Sequence, residues 1–234
     1  VVFPAFPSSR RRLLLHSDLI FPNSEIEKKQ IARLFAIPLD KMRVVPNGVD
    51  IEFADAKPEL FRKKYGEEPF ILGVGRIEPR KNQLNLIKAV KGIKGKKLVL
   101  IGSSVTGYES YYEDCRKTGE GFTIFLPTMK HGDPILKSAH AACGLFVLQG
   151  WFETPGLVAM EAALAGANVL VTCGGSTREY FKDYVDYINP ANPENIRLRI
   201  MTNLGERNNN GLKDHIINNF TCDKIAKSTI HLYQ

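Results

Sequence analysis

The stretch GLFVLQGWFETPGLVAMEAALAGANVLVT, residues 144–172, reads as strand, helix, strand. Gly144 to Leu148 and Asn168 to Thr172 are short apolar runs bounded by turn residues, the mark of buried strands. Between them Thr154 is an N-cap residue type, Pro155 suits the first helical position and Gly166 suits a C-terminal stop. Leu157, Met160 and Leu164 fall on one helical face, Val158, Ala162 and Ala165 on the next. Such a helix is apolar nearly all round and is predicted to be buried. Glu161 sits in its middle. An unpaired buried carboxylate costs roughly several kcal/mol, so Glu161 is expected to have donors to bond. Glu153 lies before the helix, where an anion is favoured by the dipole. The two carboxylates frame a candidate site. A plain core helix, with Glu161 bonded to a neighbouring Arg or backbone amide, accounts for this stretch equally well.

The same alternation extends outward. Phe70–Val74, Lys97–Ile101 and Phe122–Leu126 read as strands before this unit, and Tyr184–Ile188 as a short one after it. A short amphipathic piece is read at 59–65, and helices are expected at 82–90, 108–118, 134–142, 193–204, 212–218 and 222–233. Apolar strands alternating with helices mean an α/β fold, a parallel sheet with helices on both faces. Nearer the start, 10–20 is read as irregular, Asp18–Phe21 as a short strand and Arg43–Val45 as another. Ser24-x-x-Glu27 is a capping box whose helix stops before Pro38, and Ser176-x-x-Glu179 is a second capping box. A domain boundary is placed at Pro46-Asn47-Gly48.

The chain has 234 residues, 44% of them hydrophobic, with a formal net charge of +7. That excludes a disordered chain and allows one or two domains. No apolar run reaches membrane-spanning length, and Val1 to Pro7 lack the order of a signal peptide. Basic clusters at Arg10–Arg12, Arg62–Lys64 and Lys94–Lys97 favour anionic partners: a nucleotide diphosphate or, peripherally, an anionic membrane surface. No nucleic-acid motif accompanies them, so nucleic acid is not expected as a partner. Cys115, Cys143, Cys173 and Cys222 have neither zinc nor redox spacing, and scattered thiols suit the cytoplasm. Asn219-Phe220-Thr221 is read as a chance sequon.

Ligands of an open parallel sheet bind at the carboxyl ends of its strands. There the chain places Gly75-Arg76 and Arg80-Lys81-Asn82, Gly102-Ser103-Ser104, Pro127-Thr128-Met129-Lys130, Trp151-Phe152-Glu153 and Gly174-Gly175-Ser176-Thr177. Gly73 and Gly75 start a dinucleotide fingerprint, but position 78 is Glu and no P-loop is present, which argues against nicotinamide or ATP. Arg76 and Lys81 suit a diphosphate. The chain has no Asp-x-Asp pair, so no metal is expected.

Pro46-Asn47-Gly48-Val49-Asp50, Gly75-Arg76 with Lys81-Asn82, and Glu153-x7-Glu161-Ala162, in this order, resemble glycosyltransferase family 4. Gly175-Ser176-Thr177-Arg178-Glu179 and the closing helix fit as well, so the resemblance runs from Asp18 to the C-terminus. It implies the C-terminal, Rossmann-like donor-binding half of a GT-B fold, with 1–46 a remnant of the N-terminal acceptor domain, 47–220 the donor domain and 221–234 a helix returning toward the N-terminal domain. It implies a retaining transferase that moves a hexosyl unit from a nucleotide-diphosphate sugar to a glycan or lipid-linked acceptor, in cell-surface polysaccharide or glycolipid synthesis, without a cofactor. The isolated chain is expected to be inactive. Arg76 and Lys81 would hold the diphosphate beside Gly75, and Glu161 the ribose hydroxyls. Glu153 would face the sugar; with Arg76 and Lys81 it forms the catalytic set. Thr154, Pro155, Gly156 and Leu157 would line the donor, and Leu126, Pro127, Thr128 and Lys130 the base. The sequence departs from the family at Gln149-Gly150, where Pro-Ser is usual. Two other readings are a non-catalytic nucleotide-sugar-binding subunit and a GT-B sugar-nucleotide epimerase. The spacing of Glu153 and Glu161 favours the transferase over the epimerase.

Overall fold

The structure, a computed structural model, describes residues 8–66, 68–205 and 211–233. Val1 to Pro7 therefore lie outside the described residues. Six strands form one parallel sheet: β1 (Ile71–Val74), β2 (Leu98–Ile101), β3 (Thr123–Leu126), β4 (Leu145–Leu148), β5 (Asn168–Thr172) and β6 (Asp186–Ile188). Their order is β3-β2-β1-β4-β5-β6. β1 pairs with β2 from Ile71↔Leu98 to Val74↔Ile101, and with β4 through Ile71↔Leu145 and Leu72↔Phe146. The winding direction thus reverses between β1 and β4, and a crevice opens beyond their carboxyl ends.

Strand side chains alternate between two cores, which is why these strands read as continuous apolar runs. On one face Ile71, Leu100, Leu145, Val147 and Leu170 pack with Leu86 and Ile87 of α4 (Gln83–Lys91), Cys115 of α5 (Glu109–Thr118), and Ile196 and Ile200 of α9 (Pro193–Asn203). On the other, Leu72, Phe146, Leu148 and Val171 pack with Phe61 of α3 (Glu59–Tyr65), Leu136 of α6 (Pro134–Ala142), Met160 and Leu164 of α7 (Leu157–Leu164), Tyr180 and Phe181 of α8 (Thr177–Phe181), and Ile216 of α10 (Leu212–Phe220). The expected Rossmann-like α/β sheet with helices on both faces is what forms.

The first segment differs from its reading. Residues 8–16 form a helix, α1 (Ser8–His16), where an irregular opening was expected. Its last carbonyls find partners far away in sequence: Lys41 Nζ donates to Leu15 O at 2.8 Å and to Ser17 O at 3.3 Å. The two expected strands reduce to one bridge, Ile20↔Met42, continued by Arg43 N–H to Ile20 O and Val45 N–H to Pro22 O. Among the described residues no third strand joins that pair to make a sheet. Helix α2 (Glu25–Phe35) does start at a working capping box: Ser24 Oγ accepts from Glu27 N–H, and the Glu27 carboxylate accepts from Asn23 N–H.

The second capping box does not form. Ser176 makes no cap bond to α8. Glu179 instead reaches across the molecule, accepting the N–H groups of Glu25 at 2.7 Å and Ile26 at 2.8 Å, so it caps α2. A carboxylate at a helix start gains from the dipole wherever in the chain it comes from. Beside it the Tyr180 hydroxyl donates to Asn23 O and accepts from Asn47 N–H. Val49 is tied to the closing segment by Val49 N–H to Phe220 O and Cys222 N–H to Val49 O. The last helix, α11 (Cys222–Ile230), is followed by Tyr233, whose ring lies 5.4 Å from that of Phe21.

At the site edge, Gly102 ends β2 with φ +156, and a Cβ there would stand 2.0 Å from Gly75 O. Backbone cannot yield as a flexible side chain can. Gly102→Ala is therefore expected to cost about 3 kcal/mol or more, read as a lower denaturation midpoint at unchanged slope. A midpoint within experimental error of the parent would show that the two strand ends do not depend on this contact.

Candidate functional site

Of the residues singled out at the sheet edge, the turn after β1 and the loop after β4 come together at the crevice, while the loops after β2 and β3 bind each other. After β1 the chain turns through Gly75 and Arg76 into a single 3-10 turn, Pro79–Lys81, and then α4. Asn82 joins the two in the left-handed region, φ 58, and its amide donates to Gln149 O at 3.1 Å and Pro190 O at 2.8 Å. Gln149 returns a bond from Nε2 to Lys81 O. The Lys81 turn is thereby fastened to the loop after β4.

Across this seam lies the ion pair at the centre of the site. Lys81 Nζ is 2.8 Å from Glu153 Oε1 and 2.9 Å from Oε2. The Glu153 side chain is 7% exposed and that of Lys81 20%. Glu153 is also fixed through its backbone: its N–H donates to Gly174 O, and its carbonyl accepts from Ser176 N–H. Gly150 explains itself here, because a Cβ at that position would stand 2.2 Å from Glu153 Oε1. The departure at Gln149-Gly150 is thus a means of holding this loop: the amide clamps Lys81 and the glycine makes room for its carboxylate partner.

Arg76 does not join that pair. It is 61% exposed and its guanidinium lies 3.2 Å from Glu78, which Arg80 also approaches at 3.4 Å. Thr128 is bound to Ser103 through Ser103 N–H to Thr128 Oγ1 and Thr128 N–H to Ser103 Oγ, locking together the loops after β2 and β3. Leu126 is buried while Pro127, Thr128 and Lys130 are exposed at the rim.

The start of α7 corrects the sequence reading. Thr154 is not the N-cap and Pro155 is not the first helical residue. The Thr154–Pro155 peptide is cis, Gly156 has φ +86, and the helix begins at Leu157. The Thr154 hydroxyl is engaged with Ser176 Oγ at 3.1 Å instead. Leu157, the first residue of the helix, is 40% exposed.

Glu161 is buried as expected, yet neither an Arg nor a backbone amide meets it. Its neighbours are two imidazoles: His131 Nδ1 at 3.5 Å from Oε1 and His140 Nε2 at 3.6 Å from Oε2. Burial pushes its carboxyl from 4.5 up to about 7, with His131 opposing that rise and Asp50 adding to it. Burial drives His140 down to about 3, so that ring is neutral. Sequence reading missed both histidines. The signal available was His131 directly after Lys130 and a lone His in the apolar face of the 134–142 helix. Among the described residues, no group of three or more His, Cys, Asp or Glu side chains is arranged to hold a metal ion.

The raised carboxyl has a measurable consequence. Between pH 4.5 and 7 the folded chain keeps a proton on Glu161 that the unfolded chain has lost, so this group's contribution to stability falls as pH rises. Glu161→Gln has no proton to lose. Its stability relative to the parent should climb across this window by up to about 3 kcal/mol, measured by denaturant unfolding at both ends. A difference that stays constant with pH would place Glu161 in the ordinary carboxylate range.

Comparison with known proteins follows the same residues. The family described as Glycosyl transferases group 1 matches residues 57–219. An uncharacterised glycosyltransferase of Methanocaldococcus jannaschii is 31% identical over 227 residues, 88% of this chain and 57% of that protein. O-antigen chain mannosyltransferase B of Escherichia coli is 25% identical over 199 residues, 80% of this chain and 52% of that one. The chain therefore spans little more than half the length of these two relatives. Among solved structures, that of Anabaena Alr3699/HepE in complex with UDP and glucose superposes with a TM-score of 0.83 at 19% identity, over 96% of this chain and 66% of that one. At that identity the likeness is one of fold. The family match takes in both the Gly75–Lys81 turn and the Glu153–Glu161 segment, and the chain belongs to the glycosyl transferases group 1 family.

Proposed function

We propose that this chain is the donor-binding half of a retaining glycosyltransferase of family 4, which takes a hexosyl unit from a nucleotide-diphosphate sugar to a glycan or lipid-linked acceptor of the cell surface. The observation that carries this reading is the Lys81–Glu153 pair at the β1/β4 crevice, with Glu161 buried on the helix that follows Glu153. Relatives add weight: Alr3699/HepE is solved with UDP and with UDP-glucose, and one relative is a mannosyltransferase.

Each residue then has a task. Two of the three ammonium donors of Lys81 serve the two oxygens of Glu153, which leaves one for a phosphate oxygen. Arg76, exposed at the rim, adds a guanidinium suited to the second phosphate. Together they neutralise the charge that grows on the departing nucleotide as the glycosidic bond breaks. Glu161 accepts hydrogen bonds from the ribose hydroxyls. Glu153, held by Lys81 in the room that Gly150 leaves, faces the sugar, and the amides of Gly156 and Leu157 assist at the diphosphate. The loop from Leu126 to Lys130 takes the base. No step in this scheme requires a metal.

Calorimetry in chelator with uridine, guanosine and adenosine diphosphates is the first test. At least one should bind, and silence from all three, or a requirement for a divalent ion, would overturn the reading. The two glutamates separate next. Glu161→Ala should weaken the diphosphate and its sugar conjugate alike, by about 1.5–3 kcal/mol. Glu153→Ala should spare the diphosphate and weaken only the sugar-bearing donor. Equal loss of both ligands in Glu153→Ala, with a large fall in Tm, would reduce Glu153 to a partner for Lys81.

A further inference from the structure

Four titratable side chains from four separate places in the chain meet at the middle of α7. Glu161 is the centre. His131, in the loop after β3, stands between two carboxylates, with Nδ1 3.5 Å from Glu161 and Nε2 3.7 Å from Asp50. Asp50 precedes a short 3-10 helix, Ile51–Asp55, whose Phe53 ring lies 5.7 Å from His131 and 5.5 Å from His140. His140, on α6, has no solvent exposure, and neither of its ring nitrogens has a hydrogen-bond partner. The polar atom it approaches is Glu161 Oε2. An imidazole buried without a partner is costly, and here it is aimed at the one carboxylate in the apolar helix.

Also packed on α7 are β4, β5 and α10, which bring Phe146, Leu148, Val169, Val171, Leu212 and Ile216; the buried titratable group of α10, His215, has its Nε2 2.9 Å from Tyr180 O. Burial raises the Glu161 carboxyl first; of the three side chains gathered around it, Asp50, His131 and His140, His131 opposes that rise and Asp50 adds to it. We propose that these three are positioning residues for Glu161, with His131 and Asp50 acting in opposite senses, so that the quartet sets the pH range over which the nucleotide ribose is held. This rests on the reading that Glu161 accepts from that ribose.

The chemistry is simple. A carboxylate accepts both hydroxyls of a ribose diol, whereas a carboxylic acid spends one oxygen as a donor. Glu161 titrates near neutral pH, where its neighbours decide which form is present. A protonated His131 favours the anion and Asp50 disfavours it. The neutral ring of His140 packs with Nε2 3.6 Å from Oε2 and adds no charge.

The test uses His131→Gln and Asp50→Asn; the second keeps the oxygen that accepts from Glu52 N–H. Affinity for uridine, guanosine and adenosine diphosphate is measured from pH 5.5 to 8.5. Taking each variant against the parent cancels the titration of the ligand's own phosphate. His131→Gln should lose about tenfold more affinity at pH 6 than at pH 8.5, because removing the imidazole beside Glu161 favours its protonated form. Asp50→Asn should change in the opposite direction over the same interval. Ratios that are flat with pH, or that move the same way in both variants, would overturn the proposal; a purely structural role predicts that result. Carbon-13 titration of the Glu161 carboxyl, with no ligand, should move up in His131→Gln and down in Asp50→Asn. If no diphosphate binds the parent while the carboxyl moves as expected, the ribose role falls and the electrostatic set stands. If the diphosphate binds and the carboxyl does not move, the positioning role is what fails.

Discussion

A parallel sheet buried on both faces constrains everything else here. Its strands cannot be joined by hairpins, so each one ends at the same edge and each connection must cross a face. The reversal between β1 and β4 then opens a crevice beyond their carboxyl ends. The Lys81 turn and the Glu153 loop are the two connections that flank it. They are close because β1 and β4 are hydrogen-bonded neighbours, although 72 residues separate the two side chains.

The two carboxylates at this edge are managed in different ways. Glu153 is compensated at once by Lys81, with Gly150 leaving room for it and Gln149 bracing the lysine. Its charge is kept, and truncating either partner would strand the other. Among the described residues Glu161 has no Lys or Arg at hydrogen-bonding distance, and it sits between two imidazoles, with its titration raised by burial to about 7. It is the less settled of the two, and that is the physical profile of a group whose donors arrive with a ligand.

Local signals succeeded where the partner lay within a few residues and failed where it lay far off. Ser24-x-x-Glu27 caps its own helix through bonds that stay within four residues. Ser176-x-x-Glu179 has the same spacing, but Glu179 finds the start of α2 and Ser176 finds Thr154. Thr154 and Pro155 looked like a helix start for the same reason, and Gly156 displaced it. Helix α1 could not be read from its arginines, since the lysine that completes its end is Lys41.

By itself the sequence determined the parallel sheet, the two apolar faces, the burial of Glu161 and the edge at which glycines, cations and carboxylates gather. These follow from periodicity and from the rule that strand-to-helix loops share one side, and both are local in origin. Tertiary structure decided the pairings: Lys81 with Glu153, Arg76 with Glu78, Glu179 with α2, and His131 and His140 with Glu161. A charge binds whichever partner the fold brings within a few ångströms, and that distance depends on strand order and helix placement, which spacing along the chain does not encode.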